Sequence, residues 1–130
     1  MKEINEVLPH HKVFVRLAPS PIHGIGVFAI CDIRSNTLIC WGDPGDMIWI
    51  PKSQISHLSG ETRRLYDDFC VSKGNMLGCP RNFNRLTPAW YLNNNSENPN
   101  VHCDEKYDFF TLRDIKKGEE LTIDYSTYND

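Results

Sequence analysis

Three short stretches of the chain carry residue types suited to ligand chemistry. His23 to Ala29 reads HGIGVFA, in which Gly24 and Gly26 bracket Ile25. Glycine lets a main chain approach a ligand closely or take a positive φ, and a tight turn between two strands needs the same freedom. Trp90 to Val101 reads WYLNNNSENPNV. Asparagine tolerates left-handed and turn conformations and Pro99 breaks any ladder, so Asn93 to Asn100 is expected to be an irregular, knotted-up polar loop. Leu112 to Tyr125 reads LRDIKKGEELTIDY, a turn followed by a short strand that ends on a phenol. Glu119 and Glu120 read as solvated turn residues. No dedicated general base stands out.

The elements around these stretches are short. Lys12 to Leu17 alternates, with Val13, Val15 and Leu17 on one face, which is a strand signature. APSPIHG is a turn-rich loop. Gly26 to Ile30, Thr37 to Trp41 and Met47 to Ile50 read as further strands, and the GDPGD cluster between the last two predicts a hairpin. Lys52 to Phe69 is the one helical stretch; Gly60 divides it, and Ser59 is its expected N-cap. Pro88 to Asn93 fits one helical turn. Tyr107 to Arg113 and Glu120 to Asp124 are strands, with Leu121 and Ile123 in the core. The sum is a mainly β domain of several small sheets with one or two short helices.

Size and charge narrow the function. The 130 residues amount to one domain, large enough to fold without disulfides or a structural metal. The net charge of −3 argues against a duplex nucleic-acid binder and suits a basic, lysine-rich partner. The N-terminal residues do not resemble a signal peptide, and no apolar run is long enough for a membrane span. Five widely spaced cysteines without a CxxC pair argue against a zinc site or a disulfide framework, and each suits a small buried apolar position. An intracellular location is expected, cytoplasmic first, nuclear if the source is eukaryotic or viral.

The order and spacing of HGIGVFA, WYLNNNSENPNV and LRDIKKGEELTIDY resemble the SET domain of protein-lysine methyltransferases. The likeness covers about Val13 to Tyr125 and suits a minimal, stand-alone domain of the bacterial or viral type. It implies one SET domain over residues 1–130, with a core at 13–125 and a short tail at 126–130. It implies a β-clip-like fold in which a C-terminal segment passes under a preceding loop as a pseudoknot. It also implies S-adenosylmethionine as methyl donor, S-adenosylhomocysteine as product, no metal, and a protein lysine, in a histone-like basic segment, as acceptor. Cofactor and lysine would enter from opposite faces and meet in a narrow channel.

Carried onto this sequence, the resemblance gives Tyr125 as the catalytic tyrosine. Gly24, Ile25 and Gly26 become a loop for the amino-acid end of the cofactor. Asn94, Asn95 and Ser96 fall on the family's Asn-His-Ser, with the register open by one residue within Asn93–Asn95. Asn95 replaces the family histidine, which leaves its main chain to read the adenine. Ile123 stands where many members place Phe or Tyr, a position that limits methyl number. No cysteine-rich flanks exist, so Tyr128 is the candidate to close the lysine channel, its other reading being a frayed terminal residue. A second subunit, in a homodimer, could supply a lid instead. Tyr66, Trp41, Trp49 and Trp90 are candidate channel-wall aromatics, with core packing the stronger reading for each. Asp43, Asp46, Asp67, Asp68, Asp104, Glu105 and Asp108 are candidates for an acidic groove. The alternative function is a SET-like domain without activity that binds a peptide or protein.

Overall fold

The computed structural model describes residues 10, 12–41, 45 and 47–130. Among these residues ten strands form two sheets. The larger contains β1 (Val15–Pro19), β2 (Ile25–Ala29), β3 (Leu38–Cys40), β7 (Asn93–Asn94), β8 (Val101–Cys103), β9 (Phe109–Thr111) and β10 (Glu120–Ile123). Its order is β1-β2-β10-β8-β9-β3, with β7 also on β10. The smaller holds β4 (Met47–Pro51), β5 (Val71–Lys73) and β6 (Met76–Pro80) in the order β4-β6-β5. Among the described residues, one α-helix, α1, spans Gly60–Phe69.

β1 and β2 form an antiparallel hairpin in the register Val15↔Ala29 to Pro19↔Ile25. Pro19 is tolerated because β1 is an edge strand with no further neighbour to serve. The Ser20 N–H closes the turn onto the Gly24 carbonyl at 2.8 Å.

β10 is the centre of the larger sheet. Its first half pairs antiparallel with β2, and its second half pairs parallel with both β7 and β8. Leu121 and Ile123 are wholly buried and Thr122 is 4% exposed, so both faces of this strand lie in the interior. Asn94 and Val101 both pair with Ile123, so residues 95–100 arch across β10 and the chain beyond Ile123 runs under that arch. Asn100, itself 2% exposed, fastens the arch from inside. Its carbonyl oxygen accepts from the Thr122 N–H at 2.8 Å, and its NH2 donates to the Glu120 carbonyl at 2.9 Å. These bonds satisfy a buried amide that would otherwise be costly.

The main core is Val15, Val27, Ala29, Ile33, Ile39, Leu92, Val101, Ile115, Leu121 and Ile123. α1 buries no residue completely. It rests on a half-buried stripe that includes Tyr66 and Phe69, packed on Phe83 and Tyr91.

Three expectations need correction. The runs at 37–41 and 47–50 do not form a hairpin: β3 pairs with β9 and β4 with β6. Ile39 is buried in the main core whereas β4 has no buried residue, so the two runs serve different sheets. The intervening Gly42, Asp43, Pro44 and Asp46 lie outside the described residues. Asn93–Asn94 is a short strand rather than loop, because both residues find ladder partners on β10. Ser59 precedes α1, but its side chain makes no capping hydrogen bond.

Candidate functional site

The glycine loop and the asparagine segment meet on one side of β10. Gly24 has φ +46°, and nothing lies within 4 Å of the position a Cβ would take. Gly26 is different: a Cβ there would stand 2.4 Å from Glu120 Oε2 and 3.0 Å from Ser20 Cβ. The glycine therefore makes room for a carboxylate of this chain. Glu120 accepts from the Ser20 hydroxyl at 2.8 Å and from the Asn93 NH2 at 2.9 Å. The same Asn93 NH2 reaches the carbonyls of His23 at 3.0 Å and Ile25 at 3.4 Å. Asn93 is 6% exposed, so this is an interior clasp that fixes the glycine loop to the last strand.

Glu119 and Glu120 are thus not solvated turn residues. Glu119 also reaches inward, with an ion pair to Arg113 at 2.6 Å and a longer bond from Asn100 at 3.4 Å. The hydrogen bond from Arg113 is the main reason its carboxyl sits below the usual carboxylate range.

Asn94 is exposed, and its side-chain oxygen accepts from the Tyr125 N–H at 2.8 Å. The Asn95 N–H is bonded to the Ile123 carbonyl at 2.9 Å. Its side-chain oxygen accepts from the N–H groups of Glu97 and Asn98 at 3.2 and 3.0 Å. That oxygen is committed to its own turn.

Apart from this clasp the structure holds a cavity of about 760 Å³. Its lining includes Trp41, Trp49, Phe69, Trp90, Tyr107, Phe109, Tyr125 and Tyr128, together with Asp67, Asp68, Glu105 and Asp108. Such a wall is apolar with an acidic share, which suits a long aliphatic side chain with a cationic end. Asp104 instead caps the turn it begins, and Asp43 and Asp46 lie outside the described residues. Neither Tyr66 nor Ile123 reaches the cavity. Tyr66 packs edge-on against Phe83 with ring centroids 5.2 Å apart, and Ile123 is wholly enclosed in the core.

Tyr125 joins the asparagine segment to the cavity. Its N–H is held by Asn94, while its hydroxyl donates to the Leu92 carbonyl at 2.6 Å within the cavity wall. Burial, with a smaller contribution from Asp68, raises the phenol above its ordinary pKa, so it is protonated at neutral pH. Tyr128 packs on it with centroids 6.0 Å apart and also contacts the core. The tail is tied down rather than frayed: Asn129 Oδ1 accepts from the Ser72 N–H at 2.7 Å, and the Asp130 N–H donates to the Ser72 carbonyl at 2.9 Å.

Sequence reasoning missed three participants. Asn93 stands in a run of three asparagines that hides its separate role. Glu120 looks like half of a charged turn. Tyr107 lies among DEKYD, where nothing marks it as a cavity residue. Among the described residues, no group of three or more His, Cys, Asp or Glu could hold a metal ion, and no helix is long and apolar enough to cross a membrane.

The crystal structure of a Plasmodium falciparum protein described as a putative histone methyltransferase has a similar fold. The TM-score is 0.55 over 87% of this chain and 93% of that one, at 20% identity. No curated protein sequence matches the chain. The sequence model of the SET domain matches residues 24–126, a span that contains the glycine loop, the arch over β10 and Tyr125. The threaded strand and the segments around it thus lie within the family's span, and the chain belongs to the SET-domain family.

Proposed function

We propose that the protein transfers a methyl group from S-adenosylmethionine to the side-chain amine of a protein lysine. The observation that carries this reading is the position of Tyr125, with its backbone fixed by the asparagine side and its hydroxyl in the aromatic cavity. The residues present fit the cofactor. Gly24 offers open main chain at a positive φ, next to Ile25, which is 45% exposed. Gly26 contributes indirectly, by admitting the Glu120 carboxylate that holds the loop. Asn94 and the main chain of Asn95 would complete the cradle. S-adenosylmethionine, when bound, supplies an electrophilic methyl group on a cationic sulfur.

The chain's own part is alignment. A lysine amine attacks only when neutral, starting from a pKa of about 10.4. Apolar walls such as Phe69, Trp90 and Phe109 disfavour the ammonium form, which lowers that pKa. Asp67, Asp68, Glu105 and Asp108 attract the cation before it is desolvated. The hydroxyl hydrogen of Tyr125 is spent on Leu92, so its oxygen is left to accept from the amine and point the nitrogen lone pair along the line of attack. Tyr128, also in the lining, narrows the same space. A histone-like basic segment is the acceptor that best suits the charge, in the cytoplasm or nucleus.

The test is methyl transfer from labelled S-adenosylmethionine to core histones and to a cell lysate. Tyr125→Phe should slow transfer about 10²–10³-fold, the loss typical of one positioned polar group. Cofactor binding and the fold should change little. Transfer by the variant at the parent rate would overturn the role of Tyr125. Cofactor binding with no turnover on any acceptor would favour a peptide-binding module.

A further inference from the structure

Two of the five cysteines meet at the end of α1. β5 and β6 are joined by the two residues Gly74 and Asn75, and run in the antiparallel register Val71↔Gly78, Ser72↔Leu77 and Lys73↔Met76. Carried one step further, that register sets Cys70 opposite Cys79. Cys70 is extended, at φ −80° and ψ 148°, so strand geometry continues through it. The hydrogen bonds decide which kind of pair this is. The Ser72 N–H donates to Asn129 Oδ1 and its carbonyl accepts from the Asp130 N–H, so Ser72 turns its bonding groups away from β6. The Cys70 N–H, two residues back, also turns away and donates to the Tyr66 carbonyl at 3.0 Å. Cys70 and Cys79 are therefore a non-hydrogen-bonded pair, the kind whose Cα atoms lie about 4.5 Å apart with both side chains on one face. That spacing falls within the range a disulfide spans, about 4.4–6.8 Å. The two thiols are in hydrogen-bond contact, and both are free.

Half-buried Cys70 lines the cavity directly after Asp67, Asp68 and Phe69, whereas Cys79 is 2% exposed. One thiol is thus open to a small reagent and the other stands behind it. We propose that Cys70 and Cys79 form a reversible dithiol–disulfide couple, whose oxidised form pins the end of α1, and with it part of the acidic cavity wall, to β6. The oxidant is a small-molecule disulfide, for which glutathione disulfide serves. Cys70 loses its proton to solvent and its sulfur attacks one sulfur of the reagent, breaking the reagent's S–S bond and releasing one glutathione thiolate. Cys79, deprotonated in turn, attacks the Cys70 sulfur of the mixed disulfide and expels the second thiolate. Two protein thiols are oxidised to one disulfide, one glutathione disulfide is reduced to two thiols, and the two protons released end on the leaving thiolates. Burial, then the adjacent Cys79, raises the Cys70 thiol above its ordinary pKa, so thiolate is scarce and exchange is slow. The couple is independent of the methyl-transfer reading, since its formation needs neither cofactor nor acceptor.

The test uses the whole chain in glutathione buffers of graded thiol-to-disulfide ratio, with free thiols blocked at the end point. Trypsin cuts after Arg64, Lys73 and Arg81, so Cys70 and Cys79 leave on separate peptides, 65–73 and 74–81, which stay joined only through a disulfide. The joined pair should appear in one transition, account for nearly all the oxidised protein, and vanish with dithiothreitol. The oxidised form should melt about 5 °C higher than the reduced form. The joined share at a given ratio should fall about 10-fold when the protein is unfolded in denaturant, which is the same coupling seen from the other end. Hydrogen exchange of the Cys70 N–H, which closes the last turn of α1, should slow about 10-fold on oxidation. Cys79→Ser should stop at a glutathione adduct on Cys70, with no gain in Tm; the comparison with denaturant stands even where that variant does not fold. No joined pair at any ratio, pairing with Cys31, Cys40 or Cys103 instead, an equal share in denaturant, or a lower Tm on oxidation would each overturn the couple. Unchanged exchange at Cys70 would overturn the pinning of α1.

Discussion

The clasp around the glycine loop and the aromatic cavity treat their polar groups in opposite ways. On the glycine-loop side, Ser20, Asn93 and Glu120 spend their hydrogen bonds on one another and on the carbonyls of His23 and Ile25. On the cavity side, aromatic rings line the wall, and the buried Tyr107 hydroxyl has no hydrogen-bond partner among the described residues. The first side is locked from within and presents main chain outward. The second keeps bonding capacity in hand. A fixed ligand, the same at every turnover, suits a locked cradle. A substrate that enters, changes charge distribution and leaves suits a wall whose contacts can be exchanged.

That contrast can be broken by mutation. Gly26→Ala should have the largest effect, because the new methyl group would crowd the Glu120 carboxylate and Ser20 together. We expect a loss of about 1–3 kcal/mol in stability, and S-adenosylmethionine binding weakened at least about 10-fold, equivalent to about 1.4 kcal/mol. The substrate KM should stay as before. In a Glu120→Ala background the added cost of Gly26→Ala should shrink, a coupling that denaturant melts of the four proteins would reveal. Additive costs would show that the clasp does not act through Gly26.

Asn129→Ala tests the other side. It removes the acceptor of the Ser72 N–H, a loss of about 0.5–1.5 kcal/mol in a denaturant melt. The substrate KM should rise while cofactor affinity stays, since the tail carrying Tyr128 loosens only on the cavity side. Weakened cofactor binding would show that the two sides are not separate.

The smallest effect concerns pH. Glu119 has its carboxyl pKa lowered in the folded state, first by the hydrogen bond from Arg113. Its contribution to stability is fully present above its unfolded pKa of about 4.3 and is lost as pH falls through the lower folded value. Thermal melts from pH 6 to pH 3 should therefore fall less steeply in Arg113→Ala than in the parent. Parallel profiles would remove Glu119 from the account.

The last strand with its buried Leu121 and Ile123, and the start of the helix at Gly60, are legible in the sequence. Those features rest on alternation and a glycine, both local signals. The sequence did not announce that β3 and β4 belong to different sheets, because short apolar runs carry no address for a distant partner. The family resemblance points Ile123 and Tyr66 to the channel, yet one is enclosed in the core and the other packs on Phe83. Asn93 and Glu120 became visible only when residues 20, 26, 93 and 120 were brought together. The left-handed φ of +62° at Tyr107 has no sequence signature, since most residue types can occupy a turn.

The arch at residues 95–100 also sets a sequence of events for the newborn chain. β7 and β8 leave the ribosome before β10, yet both need β10 between them. Until Glu120–Ile123 arrives, β2 lacks its inner neighbour and Asn100 has no strand to fasten. The larger sheet must therefore wait open, and its slowest step is the seating of a strand paired with residues up to about a hundred positions away, the long-range kind of contact that slows folding. The tyrosine assigned to methyl transfer follows that strand directly, so the site is assembled by the same late event that completes the fold.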